Sequence, residues 1–200
     1  MSFKLGTTNN RAILIQDENY YDVEKTSEGK ISSDSVQALE SMEELKKLAS
    51  SLADFTPSGK LSEIKLGNPV PSSKNSYAVG LNYKGHAEEG GMEIPEVPMV
   101  FTKHTSCFVG PKDNVELRSD FVDYEAELVV VIGKGGKDIK EENGWEHVAG
   151  MCVGQDISDR PAQFATQPPM FNLGKSFDTF GPMGPCLLYT SDAADDQACV

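Results

Sequence analysis

Asp123, Glu125 and Glu127 stand at alternate positions in DYEAELVVVIGKGGKD, residues 123–138. Alternate residues of an extended strand share a face, so this spacing predicts three carboxylates on one side of a strand. Like charges so arranged repel one another, and beside a core they also lose hydration. A divalent cation is the simplest compensation. Magnesium and manganese take hard oxygen ligands in octahedral geometry, with water completing the shell. Glu125 and Glu127 could converge on one such ion, and Asp156 of VGQDISDR, closing a second strand, is the candidate third ligand. The competing reading is a solvated face of a two-sided sheet. The run LVVVI that follows is apolar on both faces, so the strand is expected to enter a buried region.

His86 in GLNYKGHAEEGG has Glu89 three residues later. On a helical turn those positions share a face, and a carboxylate beside an imidazole orients it for general-base work. A histidine among glycines is also an ordinary solvated loop residue. Arg160, four residues after Asp156, offers a planar fork for a substrate carboxylate, with a surface ion pair as the alternative. Lys175 in NLGKSFDTFGPMGP reads equally as an exposed loop lysine. GKGGKD lacks the spacing of a phosphate loop. His104 and His147 read as structural, and no Ser/His/Asp or Cys/His arrangement stands out.

Two regions must position these groups. RAILIQDENYYDVEK suits two short strands around a turn. In SDSVQALESMEELKKLASSLADF, Val36, Leu39, Met42, Leu45, Leu48 and Leu52 recur at helical spacing, and SMEE suits a capping box that restarts a second helix. TPSGKLSEIKLGNPVPSSKNS reads as a linker. Beyond it, SYAVGLNY, NVELRSDFVDYEAELVVVIGK and GMCVGQDIS suit strands. KGHAEE suits one helical turn, and EENGWEHVAG a short helix stopped by Gly150. Many strands and few helices point to an α+β, mainly β fold.

The bulk numbers exclude several classes. A net charge of −13 argues against a nucleic-acid partner and against docking on an anionic membrane. No apolar run is long enough to span a bilayer, and the N-terminus has no secretory h-region. Cys107, Cys152, Cys186 and Cys199 are widely spaced, which favours reduced thiols and a cytoplasmic location over a disulfide framework.

Taken in order, GLNYKGHAEE, VPMVFTKHTSCFVGP, DYEAELVVVIGKGGKD, VAGMCVGQDISDRPAQ and KSFDTFGPMGP resemble the fumarylacetoacetate hydrolase family over residues 70–185. The resemblance implies a mixed β-sandwich roll catalytic domain at 69–200, preceded by a small N-terminal α+β domain at 1–68. It implies a homodimer acting on a small oxo acid with Mg2+ or Mn2+. Glu125, Glu127 and Asp156 would be the metal ligands, and His86 with Glu89 and Lys175 the catalytic groups. Arg160 and Gln163 would contact substrate. The implied reaction is hydrolysis of a C–C bond in a 2-oxo or 1,3-diketo acid through a metal-held enolate.

Departures from the pattern matter. QDISDRP stands where the family commonly has ND and ARD, so Gln155, Asp159 and Pro161 alter the surroundings of Asp156. Family members continue beyond GPMGP with further strands. The chain is therefore expected to be truncated, with 186–200 a doubtful native continuation. Three rival functions follow: a lyase, isomerase, decarboxylase or dehydratase on the same scaffold, a non-catalytic metal- or ligand-binding β-domain, and a plain structural domain.

Overall fold

The computed structural model describes residues 2–89, 91, 93 and 95–189. The chain opens with strands β1 (Phe3–Thr8), β2 (Arg11–Gln16) and β3 (Asn19–Asp22), then the single turn α1 (Val23–Thr26). Helices α2 (Ser35–Glu40) and α3 (Met42–Ser50) follow. They break at Ser41, as the SMEE signal suggested, but Ser41 makes no side-chain cap. The cap that does form is Asp34, whose carboxylate accepts from the Gln37 backbone N–H at 2.9 Å. Short strand β4 (Gly59–Lys60) lies within the expected linker.

Strand β5 (Tyr77–Gly80) pairs antiparallel with β6 (Met99–Thr102), and α4 (Lys84–Glu89) lies between them in sequence. Strands β7 (Phe108–Val109), β8 (Val122–Asp123), β9 (Ala126–Ile132), β10 (Val148–Gln155) and β11 (Ser158–Asp159) come next. Two single turns, α5 (Arg160–Gln163) and α6 (Phe171–Gly174), precede β12 (Gly181–Tyr189). The fold is α+β and mainly β.

The main sheet runs β4-β3-β2-β1-β12-β10-β9, with β7 added to β12. Its middle is non-local: Phe3, Lys4 and Leu5 of β1 face Tyr189, Leu188 and Leu187 of β12. Cys186–Tyr189, read from sequence as a doubtful continuation, are therefore part of a paired strand, and Cys186 and Leu187 are buried. Residues 190–200 lie outside the described residues. Leu39, Leu45, Leu48 and Leu52 of the helical segment pack with Leu5, Leu14, Tyr21, Cys152 and Leu187 into one core. Each such buried aliphatic side chain contributes about 1.5–3 kcal/mol. Cys107, Cys152 and Cys186 are buried.

Two strand expectations need correction. The carboxylate segment is not one strand: β8 ends at Asp123 and pairs with β11, and β9 begins at Ala126. Nor does LVVVI enter a core on both faces. Val129 and Val131 pack inward, whereas Leu128, Val130 and Ile132 are 55%, 43% and 61% exposed. β9 is also the edge strand of the sheet. Gly150, expected to stop a helix, sits instead in β10, where the register against β9 shifts between Val148 and Gly150. The residues before it, Glu141–His147, form a 3-10 helix.

Candidate active site

Where β10 ends, the Asp156 backbone N–H bonds to the Glu125 carbonyl at 2.8 Å, so the two acids face each other across the last rung. Ser158 and Asp159 then pair with Asp123 and Val122. Asp159 turns the chain into α5 by accepting from the Ala162 N–H at 2.9 Å. Pro161 follows in the first turn, where its missing N–H costs nothing. This local grammar projects Arg160 and Gln163 toward Glu125. Lys175 caps the C-terminus of α6 and enters from the other side.

Lys175 is not an exposed loop lysine: its side chain is 4% exposed. Its ammonium donates to Glu125 Oε2 at 2.9 Å, Asp156 Oδ2 at 2.9 Å and Ser158 Oγ at 2.7 Å. Three donors meet three acceptors, so the buried cation is fully satisfied. Phe101 on β6 covers it, the ring centroid lying 5.7 Å from Nζ.

The other oxygen of Asp156 accepts from a residue the sequence reading missed. Lys103 Nζ lies 2.8 Å from Asp156 Oδ1 and also donates to the main-chain carbonyl of Lys175. Lys103 is itself buried. Its one signal in the sequence was its place in VPMVFTKHTSCFVGP; nothing local marks it as charged and internal.

Arg160 completes the cluster. Its Nη2 donates to Asp123 Oδ2 at 2.7 Å and to Glu125 Oε1 at 2.8 Å, and its Nη1 donates to Gln163 Oε1 at 2.8 Å. Burial opposes the guanidinium charge, but the bonds to Asp123 and Glu125 outweigh it and raise the Arg160 pKa. The same Arg160 hydrogen bond holds the Asp123 carboxyl below its ordinary value against a small cost of burial.

The opening problem of clustered acids thus has a partial answer in cations of the chain itself. Asp123, Glu125 and Asp156 are matched by Lys103, Lys175 and Arg160. Glu127 is on β9 opposite Gly154, on the face of Val129 and Val131. Among the described residues, no three His, Cys, Asp or Glu side chains gather closely enough to hold a metal. The donor chemistry nevertheless suits a hard divalent ion. Glu125 and Asp156 converge on one locus, and each brings a carboxylate oxygen within 2.9 Å of the same point, Lys175 Nζ. His86 and Glu89 are placed on α4, three positions apart, but their side chains lie outside what the structure describes.

Comparisons with known proteins give the chain a family and a fold. A family described as fumarylacetoacetate (FAA) hydrolase, C-terminal, matches residues 75–200. Human oxaloacetate tautomerase FAHD2A, mitochondrial, is 43% identical over 136 residues, 67% of this chain and 43% of the relative. Its bovine counterpart is 42% identical over 146 residues, 72% of this chain and 46% of the relative. This chain therefore spans less than half the length of these curated relatives. Among solved structures, a Mycobacterium smegmatis protein provisionally described as HpcE superposes with a TM-score of 0.83 at 38% identity. That match covers 94% of this chain and 66% of the other.

Proposed function

The chain belongs to the fumarylacetoacetate hydrolase family, and from that premise we propose that it acts on a small 2-oxo acid through an enolate. Keto–enol isomerisation of a 2-oxo dicarboxylic acid is the first reading, because the bovine and human relatives at 42% and 43% identity are named oxaloacetate tautomerases. The observation that carries it is the buried Lys175 ammonium, held by Glu125, Asp156 and Ser158 and flanked by Arg160.

In this reading, Arg160 grips a substrate carboxylate and Gln163 fixes the guanidinium plane. Lys175 donates to the developing enolate oxygen once Glu125 and Asp156 turn from it toward the ion they would hold, while Ser158 keeps the ammonium in place. Lys103 holds Asp156 and the Lys175 main chain in register. His86, oriented by Glu89, takes the proton from the carbon beside the oxo group and returns it to oxygen. Glu125 and Asp156, with Glu127, would hold magnesium or manganese, which supplies Lewis acidity toward the oxo and carboxylate oxygens. The second reading is hydrolysis of a C–C bond in an acylpyruvate. The placement of His86 and Glu89 in GLNYKGHAEE favours it, since water activated there would attack the distal carbonyl.

The test follows enol-oxaloacetate decay by ultraviolet absorbance and pyruvate release from acetylpyruvate, on the full chain and on Lys175→Met. Accelerated decay that falls roughly 10²–10³-fold in the variant supports the isomerase. Pyruvate release without accelerated decay transfers the assignment to the hydrolase. Parent and variant indistinguishable on both substrates would overturn the enolate mechanism.

A further inference from the structure

Arg160 has one partner that solvent can replace. Its Nε and Nη2 both aim at Asp123 Oδ2, at 3.3 and 2.7 Å. The Asp123 side chain is 51% exposed, whereas Glu125 is 18% exposed and Gln163 is buried. Glu125 is also anchored by Lys175, so it is held from two sides. Asp123 sits on the two-residue strand β8, and its other oxygen accepts from the Tyr124 backbone N–H at 2.9 Å.

The Nε–Nη2 edge of a guanidinium matches a carboxylate through two parallel bonds, one to each oxygen. Asp123 meets that edge with a single oxygen, and one of the two bonds is long. A free carboxylate arriving from solvent can present both oxygens to it. We propose that Asp123 is an internal stand-in for the second carboxylate of a 2-oxo dicarboxylic acid, holding Arg160 until such a ligand displaces it. A monocarboxylic 2-oxo acid has no group to spare for this exchange and leaves Asp123 in place. Asp123 thereby sets the preference between the two substrate classes. Displacement is affordable because the Asp123–Arg160 pair is half in water, and exposed pairs are weak. The inference rests on the reading that the site takes 2-oxo acids.

Calorimetric titration of the full chain and of Asp123→Asn with oxaloacetate and with pyruvate tests it. Asparagine keeps the Tyr124 contact but cannot compete as an anion. Oxaloacetate should bind the variant roughly two- to fivefold more tightly, the range of a half-exposed ion pair, while pyruvate affinity stays unchanged. Equal tightening of both acids would reduce the effect to a lost surface charge and overturn the proposal, as would unchanged or weakened oxaloacetate binding. Binding of neither acid by parent and variant alike removes the underlying reading, and the proposal with it. Asp123→Ser, scored by the same ratio, decides the matter if the asparagine variant loses its circular-dichroism signature.

Discussion

Lys103 and Lys175 place two ammonium groups on the two oxygens of one carboxylate, Asp156. Such a bond set is stable only when complete, because removing one partner leaves an uncompensated buried charge. Lys103→Met is expected to lower the unfolding free energy by about 3 kcal/mol, read as a shift of the urea midpoint at constant slope. Lys103→Arg should recover part of it. Residue identity alone could not have shown this. The partners of Lys103 are 53 and 72 positions away, and side-chain pairing at that range leaves no local pattern. Glu125, Asp156, Arg160, Gln163 and Lys175 were legible because they fall within motifs, and the structure gathers these five. What the motifs did not carry is that Ser158 belongs to the same hydrogen-bond network.

At the scale of elements, local signals served well where structure is local. The two strands around DEN and the helical stripe from Val36 to Leu52 are present. Asp22 joins them: it caps α1 by accepting from the Lys25 N–H and takes two bonds from Arg11. Burial works against its charged form, but the Arg11 and Lys25 bonds win and hold its pKa below the ordinary aspartate value. A depressed folded pKa means stability that is present above the unfolded value, about 3.9, and lost as pH falls through the folded one. Asp22→Asn should therefore cost about 1–2 kcal/mol at pH 7, a difference that begins to shrink in urea unfolding only below the unfolded value and closes as pH falls past the depressed folded pKa. The β9–β10 bulge was not legible, because register is a property of two strands. Gly150 has a φ of 153°, and a Cβ there would lie 2.6 Å from the Leu188 carbonyl oxygen. Gly150→Ala should cost about 3 kcal/mol or fail to fold, which chemical denaturation and soluble yield together would show.

The whole molecule was harder to read, since it depends on which distant strands meet. The sequence pattern indicated an α+β, mainly β fold and an apolar strand at 128–132, but not that this strand is an edge. Leu128, Val130 and Ile132, with Val153 beside them on β10, leave an apolar stripe in water. An exposed apolar face invites packing against another chain, and self-association as a homodimer is our proposal for this protein. Val130→Lys is expected to shift sedimentation-velocity profiles toward the monomer at equal concentration while leaving the melting temperature nearly unchanged. An unaltered distribution would place the contact elsewhere. No helix among the described residues is long and apolar enough to cross a membrane.

The pairing of β1 with β12 also has a consequence in time. During synthesis, β1, β2 and β3 leave the ribosome long before β12 exists. At roughly 5–20 residues per second, the β1 edge waits roughly 10–40 s for its partner. A small antiparallel unit with an open edge is only marginally stable over such an interval. The nascent chain therefore passes through a window in which the early strands depend on the helical segment alone for cover. Contacts of this sequence separation also place the molecule among slow folders. A chaperone that binds exposed strand edges has its longest opportunity here, before β12 arrives.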